Sequence, residues 1–216
     1  MRALAGLLST FVLVPSAAVS RLGESSRVMT TAVRFVAPSW CHGLDCPAFD
    51  TVGSASSSYE VRRDAPSAWV ATVVTGPAYD KAVNTGFMAL FGYIGGANEA
   101  SEKIEMTTPV LVDVSPGPGP TCGSNFTVAF YATEGAVPPS PTNPALFVRH
   151  VPERLVYVTS YGGWASESTV LAKASELASA LAADGKEFQD GVFLTASYDS
   201  PFRLLGRHNE VWLLAK

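Results

Sequence analysis

The chain has 216 residues, enough for one sizeable domain. Hydrophobic residues make up 47% and charged residues 16%, a balance that excludes an intrinsically disordered chain. Its 15 Lys and Arg against 19 Asp and Glu give a net charge of −4, which excludes a bulk electrostatic nucleic-acid binder, because neutralising phosphates needs a basic excess.

Mean hydropathy is +0.19, and part of that apolar surplus sits at the start. One basic residue, Arg2, precedes the uncharged run from Ala3 to Val14, and Pro15 with Ser16-Ala17-Ala18-Val19-Ser20 follows it. This is the pattern of a secretory signal peptide over residues 1–18, with cleavage after Ala18 or Ser20. The run is too short to cross a bilayer, which takes about 20 apolar residues, and no later run is longer, so no stable membrane insertion is expected. Residues 19–45 read as a flexible lead-in. Arg21, Arg27 and Arg34 with many Ser and Thr also fit a transit peptide behind the signal. The expected location is therefore the secretory route, or an organelle reached through it.

Cys41 and Cys46 share a short segment and are the easiest pair to close in an oxidising compartment; Cys46 with Cys122 stays open as the alternative. A zinc site is not expected, since Cys41-His42-x-x-x-Cys46 has no second ligand cluster.

Residues 58–75 read as strand, interrupted at Asp64-Ala65-Pro66 and dominated in the second part by Trp69, Val70, Val73 and Val74. Tyr79, Val83, Phe87, Leu90 and Ile94 then recur at helical spacing, and Gly95-Gly96 stops that helix. Two strands come next, 110–114 and 126–132, on either side of a Pro/Gly-rich loop that is no phosphate cradle, because its prolines lack N–H donors. Asn125-Phe126-Thr127 is an N-glycosylation sequon, Asn125 being expected at the surface just after that loop.

Beyond the connector Pro138 to Pro144 the pattern repeats. Val148-Arg149-His150 lies 87 positions after Val61-Arg62-Arg63, and Pro152 lies 86 after Pro66. Strand 156–161, a helix over 166–183 capped by Ser166, and strands 193–198 and 210–215 complete the second half. The reading is an α+β domain over 46–216, with pseudo-repeats at 58–132 and 146–216. Two βαββ units form a curved, barrel-like, eight-stranded antiparallel sheet with two helices.

Catalytic signatures are missing: there is no metalloprotease helix motif, Walker loop, dinucleotide fingerprint or nucleophile elbow. His42, His150 and His208 fall in separate elements.

Several motifs occur in order: Tyr59-Glu60-Val61-Arg62-Arg63, Ala68-Trp69-Val70, Tyr93-Ile94-x-Gly96-x-Asn98, and Lys103-Ile104-x-Met106-Thr107-x-Pro109-Val110. They continue with Tyr198-x-x-Pro201 and Arg207-x-Asn209-Glu210-Val211-Trp212. Together they resemble the SOUL haem-binding protein family, and Cys46-Pro47-x-Phe49 is similar to its secreted, plant- and alga-like branch. The resemblance implies a fold of two βαββ repeats and reversible binding of haem or another tetrapyrrole, with no reaction shared across the family. It also implies an apolar groove near the first helix, with basic residues for the propionates. Some members carry His where this chain has Arg63, so iron ligation from that position is not expected here.

A flat apolar ring with two carboxylates at one edge needs an apolar wall and cations near the rim. Phe87, Met88, Leu90 and Phe91 are candidates for the wall; Arg62, Arg63, Lys81 and Lys103 for the cations; and Met106 for an iron-facing or packing residue. Two further functions stay open: an enzyme or chaperone acting on a bound tetrapyrrole, for example by metal removal, and a protein-interaction module. Nothing in the pattern sets an oligomeric state.

Overall fold

Alternating apolar residues build one antiparallel sheet in the computed structural model, which describes residues 35–53, 58–117 and 123–216. The elements run β1 (Phe49–Thr51), β2 (Glu60–Asp64), β3 (Ser67–Gly76), α1 (Tyr79–Ile94), β4 (Val110–Ser115) and β5 (Ser124–Ala132). Then come β6 (Leu146–Val151), β7 (Arg154–Tyr161), α2 (Glu167–Ala183), β8 (Phe193–Ser197) and β9 (Asn209–Leu214). The expected signal peptide, the part of the expected lead-in before residue 35, and Cys122 lie outside the described residues.

The sheet order is β1-β2-β7-β9-β8-β4-β5-β3-β6. Apart from β1, this order is symmetric about the β4–β8 pair, so the repeat seen in the sequence is a pseudo-twofold of the fold. The interruption expected at Asp64-Ala65-Pro66 separates two strands, and these do not pair with each other. β2 pairs with β7, whereas β3 pairs with β5 and β6. Pro66 marks the break in the first half and Pro152 its counterpart in the second: proline has no N–H for a ladder and fixes φ, so the chain turns out of one strand and starts another. Each half thereby lends its first strand to the other half. The sheet has nine strands rather than eight because β1 adds to β2, with Asp50 opposite Arg63.

The period-two alternation divides the buried residues between two clusters. Val70, Val112, Val128, Phe130, Val211 and Leu213 pack with the helices. Trp69, Leu111, Ala129, Val158, Leu194 and Trp212 form the second cluster. In α1, Ala82, Gly86, Leu90 and Tyr93 are buried, one residue per turn on one face. Gly86 is needed for that approach: a Cβ there would lie 2.5 Å from Val128 Cγ2. Ser166 caps α2 as expected, its Oγ accepting the Thr169 N–H at 3.4 Å, and Val170, Leu177 and Leu181 are buried.

Within the expected lead-in, residues 35–45 pack against the domain. Cys41 is buried, bonded to Cys46, and belongs to the second cluster with Trp40. Trp40 stacks on His208, ring centroids 4.6 Å apart. The Cys41–Cys46 pairing is the one the short spacing favoured. Among the described residues, no helix is long and apolar enough to cross a membrane.

Candidate functional site

The outward side of α1 carries an apolar surface that the helix cannot bury, because its inward side already covers β3 and β5. Met88 and Phe91 are 57% and 51% exposed. Phe87 is half-buried; its ring stacks on Phe91 at 5.8 Å and meets Phe130 edge-on at 5.3 Å. Phe130 is a core residue, so Phe87 ties the exposed aromatic to a rigid base. Leu90, expected in the same wall, is fully buried in the core beneath. Lys81 is exposed about two helical turns before Met88, a spacing that returns to the same side.

The segment after α1 is held in place by its own sequence. Gly96 adopts a φ of 116°, which an L-residue rarely takes, and this lets the chain reverse. The buried Asn98 side chain then donates to the carbonyls of Tyr93 (3.1 Å) and Glu102 (2.7 Å) and accepts the Glu102 N–H (3.1 Å). The Gly96-x-Asn98 pair of the sequence motif is therefore a staple rather than a ligand site. Lys103 is exposed just beyond it, and the Ile104 N–H donates to Ile94 O at 2.8 Å. Met106 is half-buried against the helix-side core. Thr107 and Thr108 pin the entry to β4, donating to the carbonyls of Tyr131 (2.7 Å) and Tyr198 (3.3 Å).

Arg62 does not join this face as a rim cation. It is 2% exposed on β2, and its guanidinium forks onto Glu210 with N–O distances of 3.0 and 3.1 Å. Its Nε donates to Glu60 at 2.8 Å, and Phe49 lies under it at 4.4 Å. Glu210 also accepts from Tyr198 Oη (2.8 Å), Trp212 Nε1 (2.8 Å) and His208 Nε2 (2.9 Å). Burial alone would raise the Glu210 carboxyl, but the His208 hydrogen bond and the Arg62 charge outweigh it and hold it below its usual value. Arg63 is exposed one residue on, 3.8 Å from Glu153. The pseudo-equivalent Arg149 pairs with Asp113. Both halves thus use this arginine to hold a carboxylate, the shared structural role that its repeat position indicates.

The remaining candidates are spread out. His42 bonds Asp199 at 2.8 Å and His208 bonds Glu210, while His150 is exposed on β6. Among the described residues, no group of three or more His, Cys, Asp and Glu is placed to hold a metal ion. Asn125 is exposed as expected, but within β5 rather than in a loop, and accepts from Thr75 Oγ1 at 2.7 Å. An open cleft of about 440 Å³ lies away from α1, lined by Pro66, Tyr131, Glu134, His150 and Pro152 among others. Its lining has a carboxylate but no Lys or Arg, which suits a dianionic ligand poorly.

Three comparisons bear on this geometry. A family model described as "SOUL heme-binding protein" matches residues 44–214. Heme-binding protein 2 of Homo sapiens is 40% identical over 169 residues, covering 77% of this chain and 82% of that protein. Heme-binding protein 1 of Xenopus laevis is 30% identical, covering 73% and 83%. Among solved structures, an uncharacterized conserved protein from Listeria innocua aligns with a TM-score of 0.51 at 12% identity, covering 72% and 91%. The EcmrR C-terminal domain aligns with a TM-score of 0.50 at 8% identity, covering 73% and 96%. These two likenesses concern the fold alone.

Proposed function

The chain belongs to the SOUL haem-binding protein family, and from that premise we propose that it binds haem or a related tetrapyrrole reversibly and non-covalently, as a carrier or buffer rather than an enzyme. The observation that supports the site is the outward face of α1, where Met88 and Phe91 stand exposed and Phe91 stacks on the Phe87 ring anchored in the core. A flat macrocycle laid there covers apolar surface that water now meets, the main driving force for such binding. Lys81 and Lys103 are exposed towards opposite ends of the helix, so one of them, set by which way the ring lies, pairs with its carboxylate edge, and Met106 flanks the C-terminal end.

Arg62 and Arg63 leave the set: the first is committed to Glu210, and the second lies beside Glu153 on β2. The macrocycle supplies any iron or redox chemistry. The chain supplies apolar contact and charge pairing, with no histidine of its own on this face. An open wall of this kind gives modest, reversible affinity.

Export through the secretory route, or to an organelle reached by it, with Asn125 glycosylated, belongs to the same proposal. The apolar run from Ala3 to Val14, the exposure of Asn125 and the Cys41–Cys46 disulfide support it.

Titration of the full chain with haemin tests the reading. A Soret band and quenched tryptophan fluorescence that saturate at one equivalent, and weaken with salt, are expected. Unsaturable uptake, or equal uptake by the urea-unfolded chain, overturns it. Conversion of more than one equivalent of tetrapyrrole overturns the non-enzymatic part.

A further inference from the structure

The connection between β8 and β9, residues 198–208, carries three large apolar side chains that no other element of the described residues covers. Phe202, Leu204 and Leu205 are 90%, 73% and 85% exposed. Exposure of this kind usually marks a contact surface when the backbone beneath is ordered. Here the base of the loop is clamped. The fully buried Asp199 carboxylate lies 2.8 Å from His42 Nε2 and 3.2 Å from Arg203 Nε, and accepts the His208 N–H at 2.6 Å.

Arg207 closes the loop from inside, donating to the carbonyls of Ser200 (2.9 Å) and Arg203 (2.8 Å). Arg203 Nε also donates to Leu205 O at 3.0 Å. Three carbonyls of the loop are thus bonded internally while the apolar side chains stay exposed. Such a tip enters an apolar medium without stranding those carbonyls.

Charge indicates the medium. Residues 200–206 contain no acid, and the carboxylates bonded at the foot of the loop, Asp199 and Glu210, are buried. Among the described residues, Arg207 bonds only carbonyl oxygens, and it lies 4.3 Å over the ring of Trp164, which is itself 53% exposed. The Gly163 carbonyl accepts from Asn209 Nδ2 at 2.9 Å, so the segment carrying Trp164 is tied to the foot of the same loop. A tryptophan and an arginine behind an apolar tip match the layered chemistry of a bilayer surface: acyl chains first, then the headgroup level. The whole chain has a net charge of −4. An anionic surface therefore repels most of the molecule and favours approach by this acid-free tip.

We propose that the β8–β9 loop docks the protein reversibly on an anionic lipid bilayer. Phe202, Leu204 and Leu205 enter the boundary between headgroups and acyl chains, and Trp164 and Arg207 rest among the headgroups. This is interfacial docking, not a membrane span, and it does not rest on the tetrapyrrole reading.

The test is co-sedimentation of the full chain with vesicles of phosphatidylcholine, alone or mixed with phosphatidylserine, beside a Phe202→Asp/Leu205→Asp variant. Stronger binding to the mixed vesicles is expected, with a blue shift of tryptophan emission and a loss on adding salt. The variant should bind at least about tenfold more weakly, melt at the same temperature because both positions are exposed, and take up haemin as the parent does. No vesicle binding by the parent, equal binding to both lipids, or a variant that still binds overturns the proposal. So does a variant whose only change is loss of self-association, which would assign the tip to a second copy of the chain. A variant that keeps vesicle binding and loses haemin uptake also overturns it, placing the loop at the ligand instead.

Discussion

Arg62 and Glu210, 148 residues apart in the chain, face each other as a two-pronged fork within the sheet. Both are almost wholly buried, and three further donors converge on the same carboxylate. Because β2 comes from the first half and β9 from the second, the fork joins the two repeats where each lends a strand to the other.

Removing one partner leaves the other charge buried and unpaired. Glu210→Gln should destabilise the fold by about 3–5 kcal/mol in urea unfolding at neutral pH. The pH dependence has a definite sign. The Glu210 carboxyl is held below its ordinary value of 4.5, so its contribution is present above that pH and is lost as pH falls through the folded-state value. The parent–variant difference should therefore be flat above about pH 5 and shrink on further acidification. Burial raises the Asp64 carboxyl despite the pull of Arg154, which gives the opposite sign; the Glu210 charge is the smallest of its causes, so most of that contribution is common to both proteins. A difference that grows towards low pH would contradict the assignment.

Gly86 is the position where α1 comes closest to the sheet. A methyl group there would sit 2.5 Å from Val128 Cγ2 and 2.7 Å from its Cβ, and the valine Cβ cannot yield without moving β5. Alanine favours helix over glycine, yet overpacking should dominate. Gly86→Ala is expected to cost about 1–3 kcal/mol, read as a lower urea midpoint with an unchanged slope. A stabilised variant would show that the helix stands further off.

Met88→Ser/Phe91→Ser strips the exposed wall of α1 without touching Leu90 or Phe130. Stability should change by less than about 0.5 kcal/mol, while haemin affinity should fall about tenfold or more, since covering one large apolar side chain contributes roughly 1.5–3 kcal/mol. Unaltered affinity with intact folding would move the ligand off this face.

The Cys41–Cys46 bond closes a short loop that presses Trp40 onto His208. Cys41→Ser/Cys46→Ser should lower stability by roughly 2 kcal/mol, the loop-entropy value for so short a loop. A thiol reductant should do the same to the parent and nothing further to the variant. Haemin uptake should persist, because this cap packs on the cluster away from α1.

The pattern of residues reaches far into the architecture because helices and strands write their periods directly into the chain. The spacing from Tyr79 to Ile94 places α1 to the residue, and Ser166 marks the cap of α2. The repeat from Val61 to Val148 announces two similar halves. Glycine and asparagine after α1 are visible as a motif, though not as a staple.

Partnership across the sheet is not legible in the same way. A proline after Asp64 says that a strand ends, but not that the next strand pairs elsewhere, since pairing is set by which edges meet when the sheet curls. Arg62 shows the consequence. As a basic residue in a family motif it reads as a cation for a ligand rim, and only the tertiary fold brings Glu210 to it and removes it from water. The same holds for Phe87, Met88, Leu90 and Phe91. Their spacing sets a helix, but the packing of α1 on β5 decides that Leu90 is core, Phe87 an anchor, and Met88 and Phe91 the surface left for a partner. Local periodicity is a property of neighbouring residues and survives in the sequence. Burial and charge pairing are properties of distant ones, and exist only once the chain has closed on itself.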